Sequence, residues 1–497
     1  MTSTSTTLPS VPVRRGRLGL LLALSLVGGG AAGAFAGAGG LVQLGFPAGA
    51  LLLALWLLAT RRTAQYVEFV LWLWLLAPGL RRIVDLGLGW NPVSPIMLAA
   101  PVATLVCLLP ALSGRRRLHP TMGASLVIAL AAVGYGVLVG VLVVGVGSAL
   151  AAALAWLPPL ALGLYVATSN SVEDADLLAV VRRTALLGCL LLGSYGLLQF
   201  VSPPPWDVFW LENAPITSAG YPVPYEVRVF STLNSPAPFA CVLGVLLVLL
   251  TGCRGRSRPL AMLAAFVAFG LSVVRTAWLG YVVALFTLLA PGRTRLLRSA
   301  VVGIGLPALL LVLYGGLVTE VIASRLTDTT KSGTQDESFT DRVEFYRTVL
   351  PQVLVDPVGE GVGSTGVATK VGNAGELGER GNFDGGALEI LYVFGLPVGL
   401  AFLVSIVLAV RAAWTVASRR GDLEKAMAAA LVGLLVQLPL FNPITTPSGI
   451  FFWLLVGVLA RSSATTATHE AIRVAQSEPR VITSSRRPRA RSRSAAS

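Results

Sequence analysis

Apolar runs long enough to cross a lipid bilayer follow one another along almost the whole chain, and one wet stretch, Glu320 to Phe383, interrupts them. About 20 residues of helix span the hydrocarbon, and a helix satisfies its own backbone there. The runs predict spans near residues 18–37, 40–59, 65–82, 95–113, 121–142, 148–167, 179–201, 234–252, 259–274, 276–291, 299–319, 385–410, 425–441 and 447–461. The expected fold is an all-α integral membrane protein, a polytopic bundle of about 12–14 transmembrane helices with one long outer loop containing an amphipathic helix. Of the 497 residues 55% are hydrophobic and only 12% charged, which excludes an ordinary soluble domain. The first apolar run leads directly into a second, so no cleavable signal is evident.

The net charge of +14 is mostly a topology signal. Arg14, Arg15 and Arg17, then Arg61 and Arg62, Arg115 to Arg117, Arg182 and Arg183, and Arg254 to Arg258 fall at alternate span ends, and Arg419, Arg420 and Lys425 continue the series. Basic residues collect on the cytoplasmic side, so both termini are expected inside. The chain then divides into a cytoplasmic N-terminal segment (1–17), N-terminal transmembrane helices (18–319), a long extracytoplasmic loop (320–383), C-terminal transmembrane helices (384–461) and a disordered basic cytoplasmic tail (462–497). Cys107, Cys189, Cys241 and Cys253 lie in or beside apolar runs and read as small buried residues. No Walker loop, zinc spacing or Asp-rich metal motif occurs, so neither a metal nor another cofactor is expected.

Two loops on the predicted outer side are long. One, Ser202 to Thr232, holds Trp206, Phe209, Trp210, Tyr221 and Tyr225, aromatics suited to the membrane–water interface. In the other, Ser338-Phe-Thr-Asp341 has the spacing of a capping box. Phe339, Val343, Tyr346, Leu350 and Val353 follow at helical spacing, opposite Arg342, Glu344 and Arg347, which predicts an amphipathic helix stopped by Pro357. Gly359, Gly361, Gly363 and Gly366 then open a glycine-rich stretch, read equally as a close approach to a ligand or as a flexible loop.

The arginines that break the positive-inside pattern carry the most information. Arg275 interrupts an apolar run from Leu260 to Ala290 where two spans turn at the outer face, and Arg228 precedes the span starting near Asn234. Arg81, Arg82, Arg325, Arg342 and Arg347 are expected outside as well. A charge kept at membrane depth has a partner or a ligand, and guanidinium forks grip phosphate bidentately. Ion pairing to an outer carboxylate is an equal reading for each arginine except Arg275, where a ligand is favoured. Tyr225, Glu226 and Asn234 are candidates for sugar contact by position alone.

Arg228-Val-Phe-Ser-Thr-Leu-Asn234-Ser-Pro236, Val274-Arg275-Thr-Ala-Trp278-Leu-Gly, Asp341-Arg342, Asp356-Pro357-Val-Gly-Glu-Gly361-Val-Gly363 and Asp384-Gly-Gly-Ala-Leu-Glu389 together resemble the O-antigen ligase and O-antigen polymerase superfamily, over about residues 225–460. The resemblance implies a metal-independent membrane glycosyltransferase acting on undecaprenyl-diphosphate-linked glycans at the outer face of the bacterial cytoplasmic membrane. The acceptor is a glycan, lipid or protein. Arg228 and Arg275 would hold the diphosphate, with Arg342 a further candidate, under a roof formed by the long loop. Ligases of this kind carry a histidine near the end of that loop. Here Asp384-Gly385 stands instead, and both histidines, His119 and His469, fall on the predicted cytoplasmic side. Asp384 is then the first candidate for a general base, with an N-cap as its equal alternative, and Glu389 the second. For Glu389, burial opposite an arginine is favoured over catalysis. The departure favours a polymerase-like or divergent member. The rival is a flippase for lipid-linked oligosaccharides, which needs charges deep in several spans.

Overall fold

The computed structural model describes residues 17–114, 116–214, 217–288, 337–383, 385–445 and 447–461, with side chains at 217 and 337–343 excepted. Within them the chain is all-α; pairing outside helices is limited to one antiparallel bridge, Gly220 with Val227. The helices are α1 (Leu18–Phe35), α2 (Gly39–Ala59), α3 (Thr63–Leu88), α4 (Ala99–Leu105), α5 (Leu108–Leu112), α6 (Pro120–Val143), α7 (Val146–Thr168), α8 (Asp174–Val201) and α9 (Pro205–Asn213). They continue as α10 (Pro236–Thr251), α11 (Arg258–Leu271), α12 (Arg275–Leu288), α13 (Glu337–Val355), α14 (Gly386–Phe394), α15 (Leu396–Ser418), α16 (Asp422–Gln437) and α17 (Ser448–Arg461). Seven described helical segments are long and apolar enough to cross a membrane, and four shorter apolar helices accompany them. The predicted span at 299–319 lies outside the described residues, as do both chain ends and Arg325.

A helix apolar on every side belongs inside a bundle or in lipid, and α10 and α17 are buried almost throughout. Helix α3 is buried over most of Thr63 to Asp85, although it carries Glu68, Arg81, Arg82 and Asp85. Close helix contacts use small residues, which let backbones approach: a side chain at Gly280 of α12 would meet the Gly433 carbonyl of α16 at 2.5 Å.

The two ends of the bundle differ. At one, α7 and α17 end and α3, α8 and α16 begin. There the fully buried Arg461 donates to the carbonyls of Val166, Ser169 and Val172 and to Asp174 (2.9 Å), capping the last turn of α7. Arg183 pairs with buried Glu68 at 2.8 Å at the same end. Arg183 belongs to the series expected to face the cytoplasm. At the other end α3, α8 and α11 stop and α10, α12 and α14 start.

Two expectations need correction. The run at 385–410 is not one span. Gly395 (φ 72) breaks it into α14 and α15, because Pro397 cannot extend the preceding helix and only glycine turns the chain there without strain. The amphipathic helix exists as α13, but Ser338 lies inside it rather than capping it. Its buried stripe runs through Val349 and Val353, and Leu350 is 39% exposed. Two neighbouring apolar rows fit the 3.6-residue period, and the one that meets Leu388 of α14 is used.

The glycine-rich stretch is a wedge rather than a flexible loop. Residues 359–363 thread between α6, α7 and α14: Glu360 and Gly361 donate to the carbonyls of Tyr392 (3.0 Å) and Val393 (2.9 Å), and Val362 to Gly136 (2.8 Å). At Gly361 (φ 78) a Cβ would stand 2.1 Å from the Gly140 nitrogen. Gly366 (φ 70) faces open space. Gly361→Ala is therefore expected to cost more than ~3 kcal/mol, against about 1 kcal/mol for Gly366→Ala, which adds backbone strain alone. Thermal denaturation of both variants in detergent measures the difference.

Candidate functional site

Residues 228–234, the Arg-Val-Phe-Ser-Thr-Leu-Asn motif, enter the bundle without forming a helix. Ser231 is fully buried in a left-handed conformation (φ 51), and Thr232 Oγ1 donates to the carbonyl of Leu75 in mid-α3 (2.6 Å). Irregular backbone at this depth needs internal partners. Gln199 of α8 supplies them: its Oε1 accepts from both Phe230 N and Ser231 N at 2.9 Å. Arg82 of α3 donates Nη2 to the Ser231 carbonyl (2.5 Å) and pairs through Nη1 with Asp207 of α9 (2.7 Å). Asp207 also accepts from Gln199 Nε2 (2.7 Å) and Tyr195 (2.9 Å).

Fixed in this way, the segment aims Arg228. Its Nε donates to the Ser272 carbonyl (3.2 Å) and its Nη2 to that of Val273 (2.7 Å), while Val229 N bonds Leu271 O (3.2 Å). These carbonyls form the turn between α11 and α12, and the next helix opens with exposed Arg275. Arg228 and Arg275 are thus brought to one turn. Val273 in that turn has φ 52, and Tyr225, Ser231, Val273 and Ala374 are four of the five non-glycine residues with positive φ among the described residues. Strain of this kind persists where surrounding structure over-determines it, and it concentrates at functional sites.

The antiparallel pair α12 and α16 links this turn to Glu389. Gly280 lies against Gly433 and Gln437, so the start of α12 and the exit of α16, Leu438 to Asn442, share one end of the bundle. Ala387 N bonds Leu438 O (2.9 Å), and Tyr346 of α13 donates to Pro439 O (2.5 Å). Glu389, half-buried in the first turn of α14, accepts from Asn442 Nδ2 (2.7 Å) and Thr365 Oγ1 (2.8 Å). The expected arginine opposite Glu389 is replaced by two neutral donors, because the wedge and the α16–α17 loop cover that side of α14.

Of the remaining candidates, Arg342 falls within α13, without a described side chain, and Asp384 lies outside the described residues. Arg347 pairs with Glu344 on the exposed face of α13 at 3.9 Å. Arg81 pairs with Asp85 (3.2 Å) and lies over the adjacent rings of Trp90 and Trp210. Trp210, expected at an interface, is buried and donates to the Asn234 carbonyl (3.2 Å), whereas Tyr221 and Tyr225 remain exposed. The turn after the wedge brings Lys370 towards Arg81; burial and that charge lower the Lys370 pKa. Sequence reasoning missed Gln199, Asp207, Thr365 and Asn442. A glutamine inside an apolar run was the available signal for Gln199; the others gain meaning only from their partners. Among the described residues no group of three or more His, Cys, Asp or Glu is arranged to hold a metal ion.

Fold and site define a polytopic all-α membrane protein in which a polar cluster at one end of the bundle brings two arginines to one turn. Residues 260–403 match the family model described as O-antigen ligase, which supports placing the chain in the O-antigen ligase/polymerase superfamily. The matched stretch contains Arg275, the wedge and Glu389, whereas Arg228 precedes it. A search of curated proteins returned no match.

Removing Asn442 leaves a carboxylate oxygen of Glu389 without its donor. Asn442→Leu is expected to destabilise the protein by roughly 1–3 kcal/mol, and pairing it with Glu389→Leu to restore part of that loss, since no polar atom is then stranded. Melting temperatures of the single and double variants report this coupling.

Proposed function

We propose that the protein is a glycosyltransferase that transfers or polymerises glycans from undecaprenyl-diphosphate-linked donors at the outer face of the bacterial cytoplasmic membrane. The observation that carries this reading is the joint anchoring of Arg228 and Arg275 on the α11–α12 turn. In this reading the two guanidiniums hold the donor diphosphate, with Arg342 on α13 as a further contact. Negative charge grows on the diphosphate as the glycosidic bond breaks, and fixed cations aimed there lower the barrier. The acceptor hydroxyl, on a glycan, lipid or protein, loses its proton to a general base, Asp384 first and Glu389 second. The sequence Asp384-Gly385 in place of a histidine favours a polymerase-like member over a lipid-acceptor ligase.

The flippase alternative is less well supported. Arg82–Asp207 and Glu68–Arg183 are ion pairs at opposite ends of the bundle, whereas a translocation path needs charge presented along its length.

In proteoliposomes with a lipid-linked repeat unit, Arg228→Ala and Arg275→Ala are each expected to lower transfer by about 10²–10³-fold with the fold intact. Wild-type rates in both variants would refute the diphosphate role. Asp384→Asn is expected to slow transfer more than Glu389→Gln; the reverse order assigns the proton to Glu389. Translocation of the lipid-linked unit without transfer would select the flippase.

A further inference from the structure

The geometry points to Gln199 and Arg82, oriented by Asp207, as positioning residues that set Arg228 for the donor diphosphate. This deepens the reading above and rests on it. Five backbone contacts fix residues 228–231. Arg228 N bonds Ala219 O (2.9 Å), Val229 N bonds Leu271 O (3.2 Å), and Gln199 Oε1 receives both Phe230 N and Ser231 N at 2.9 Å. Arg82 takes the Ser231 carbonyl at 2.5 Å. Without Gln199 and Arg82, two N–H groups and one carbonyl would be stranded in a buried turn, and the left-handed Ser231 (φ 51) would keep only its hydroxyl bond to the Leu192 carbonyl (2.8 Å).

Asp207 decides which way the amide points. Its Oδ2 accepts Gln199 Nε2 at 2.7 Å and the Tyr195 hydroxyl at 2.9 Å, and its Oδ1 faces Arg82 at 2.7 Å. With the NH₂ committed to Asp207, the amide oxygen faces the turn. Arg82, Gln199 and Asp207 are all fully buried, so no water stands in for a lost member. The turn so held ends three residues from Arg228, and displacing a charge by about 1 Å from its target costs on the order of a hundredfold.

A second α3–α8 link at the opposite end, Glu68 with Arg183 at 2.8 Å, provides the control for loss of a buried polar contact between the same two helices. The test is binding of undecaprenyl diphosphate to the full-length protein in detergent micelles, with the melting temperature recorded in parallel. Gln199→Leu is expected to weaken binding about tenfold or more. Arg183→Gln is expected to lower the melting temperature and leave binding within about twofold. Combined with Arg228→Ala, Gln199→Leu is expected to add nothing to the loss that Arg228→Ala causes alone, because it acts through that side chain. Should Gln199→Leu fail to fold, Gln199→Asn carries the same expectation, since it keeps the amide but withdraws it by ~1.5 Å.

Wild-type binding by the Gln199 variant, or losses that multiply in the double variant, would overturn the positioning role. Wild-type binding by Arg228→Ala would instead remove the diphosphate reading on which it rests.

Discussion

Inside a membrane bundle there is no water to complete a hydrogen bond, so any backbone that leaves the helix must be met by protein atoms. Two described segments that leave it are residues 228–234 and 359–363, and their partners organise the end of the molecule where the candidate site lies. In the first, side chains from α3 and α8 supply partners beside the carbonyls of Ala219 and Leu271. In the second, backbone from α6 and α14 does, at spacings that only glycine permits. The first intrusion steers Arg228; the second brings Thr365 to Glu389.

The apolar periodicity made the membrane class and most spans legible, since hydropathy depends on local composition alone. The position of Arg275 at a turn was legible for the same reason: a charge inside an apolar run forces a break. The split at Gly395 was less visible, because the apolar signal runs straight across it while the break depends on backbone geometry. The buried face of α13 was legible at Tyr346 and Val353 but not at Leu350, since Val349 rather than Leu350 meets Leu388, a tertiary neighbour.

The fate of the arginines divides along a similar line. Arg81, Arg82 and Arg347 were equal candidates for ligand or ion pair, and each has a carboxylate partner. Nothing local separates them from Arg228, which bonds two backbone carbonyls. The difference arises from elements far away in sequence: Asp207 sits 125 residues beyond Arg82 and becomes its partner only when α9 folds back over the end of α3. The Thr365–Glu389–Asn442 cluster is illegible in sequence for the same reason, as it joins three separate segments.

The glycine wedge has a consequence for biogenesis. Its berth between α6 and α7 is made of residues that leave the ribosome more than two hundred positions before Gly361 does. At about 5–20 residues per second that interval is on the order of ten seconds or more. Throughout it, the cleft at Gly136 and Gly140 waits for its occupant. Assembly therefore includes a late insertion from the C-terminal half, and a nascent chain halted before that point lacks the residues that fill this cleft.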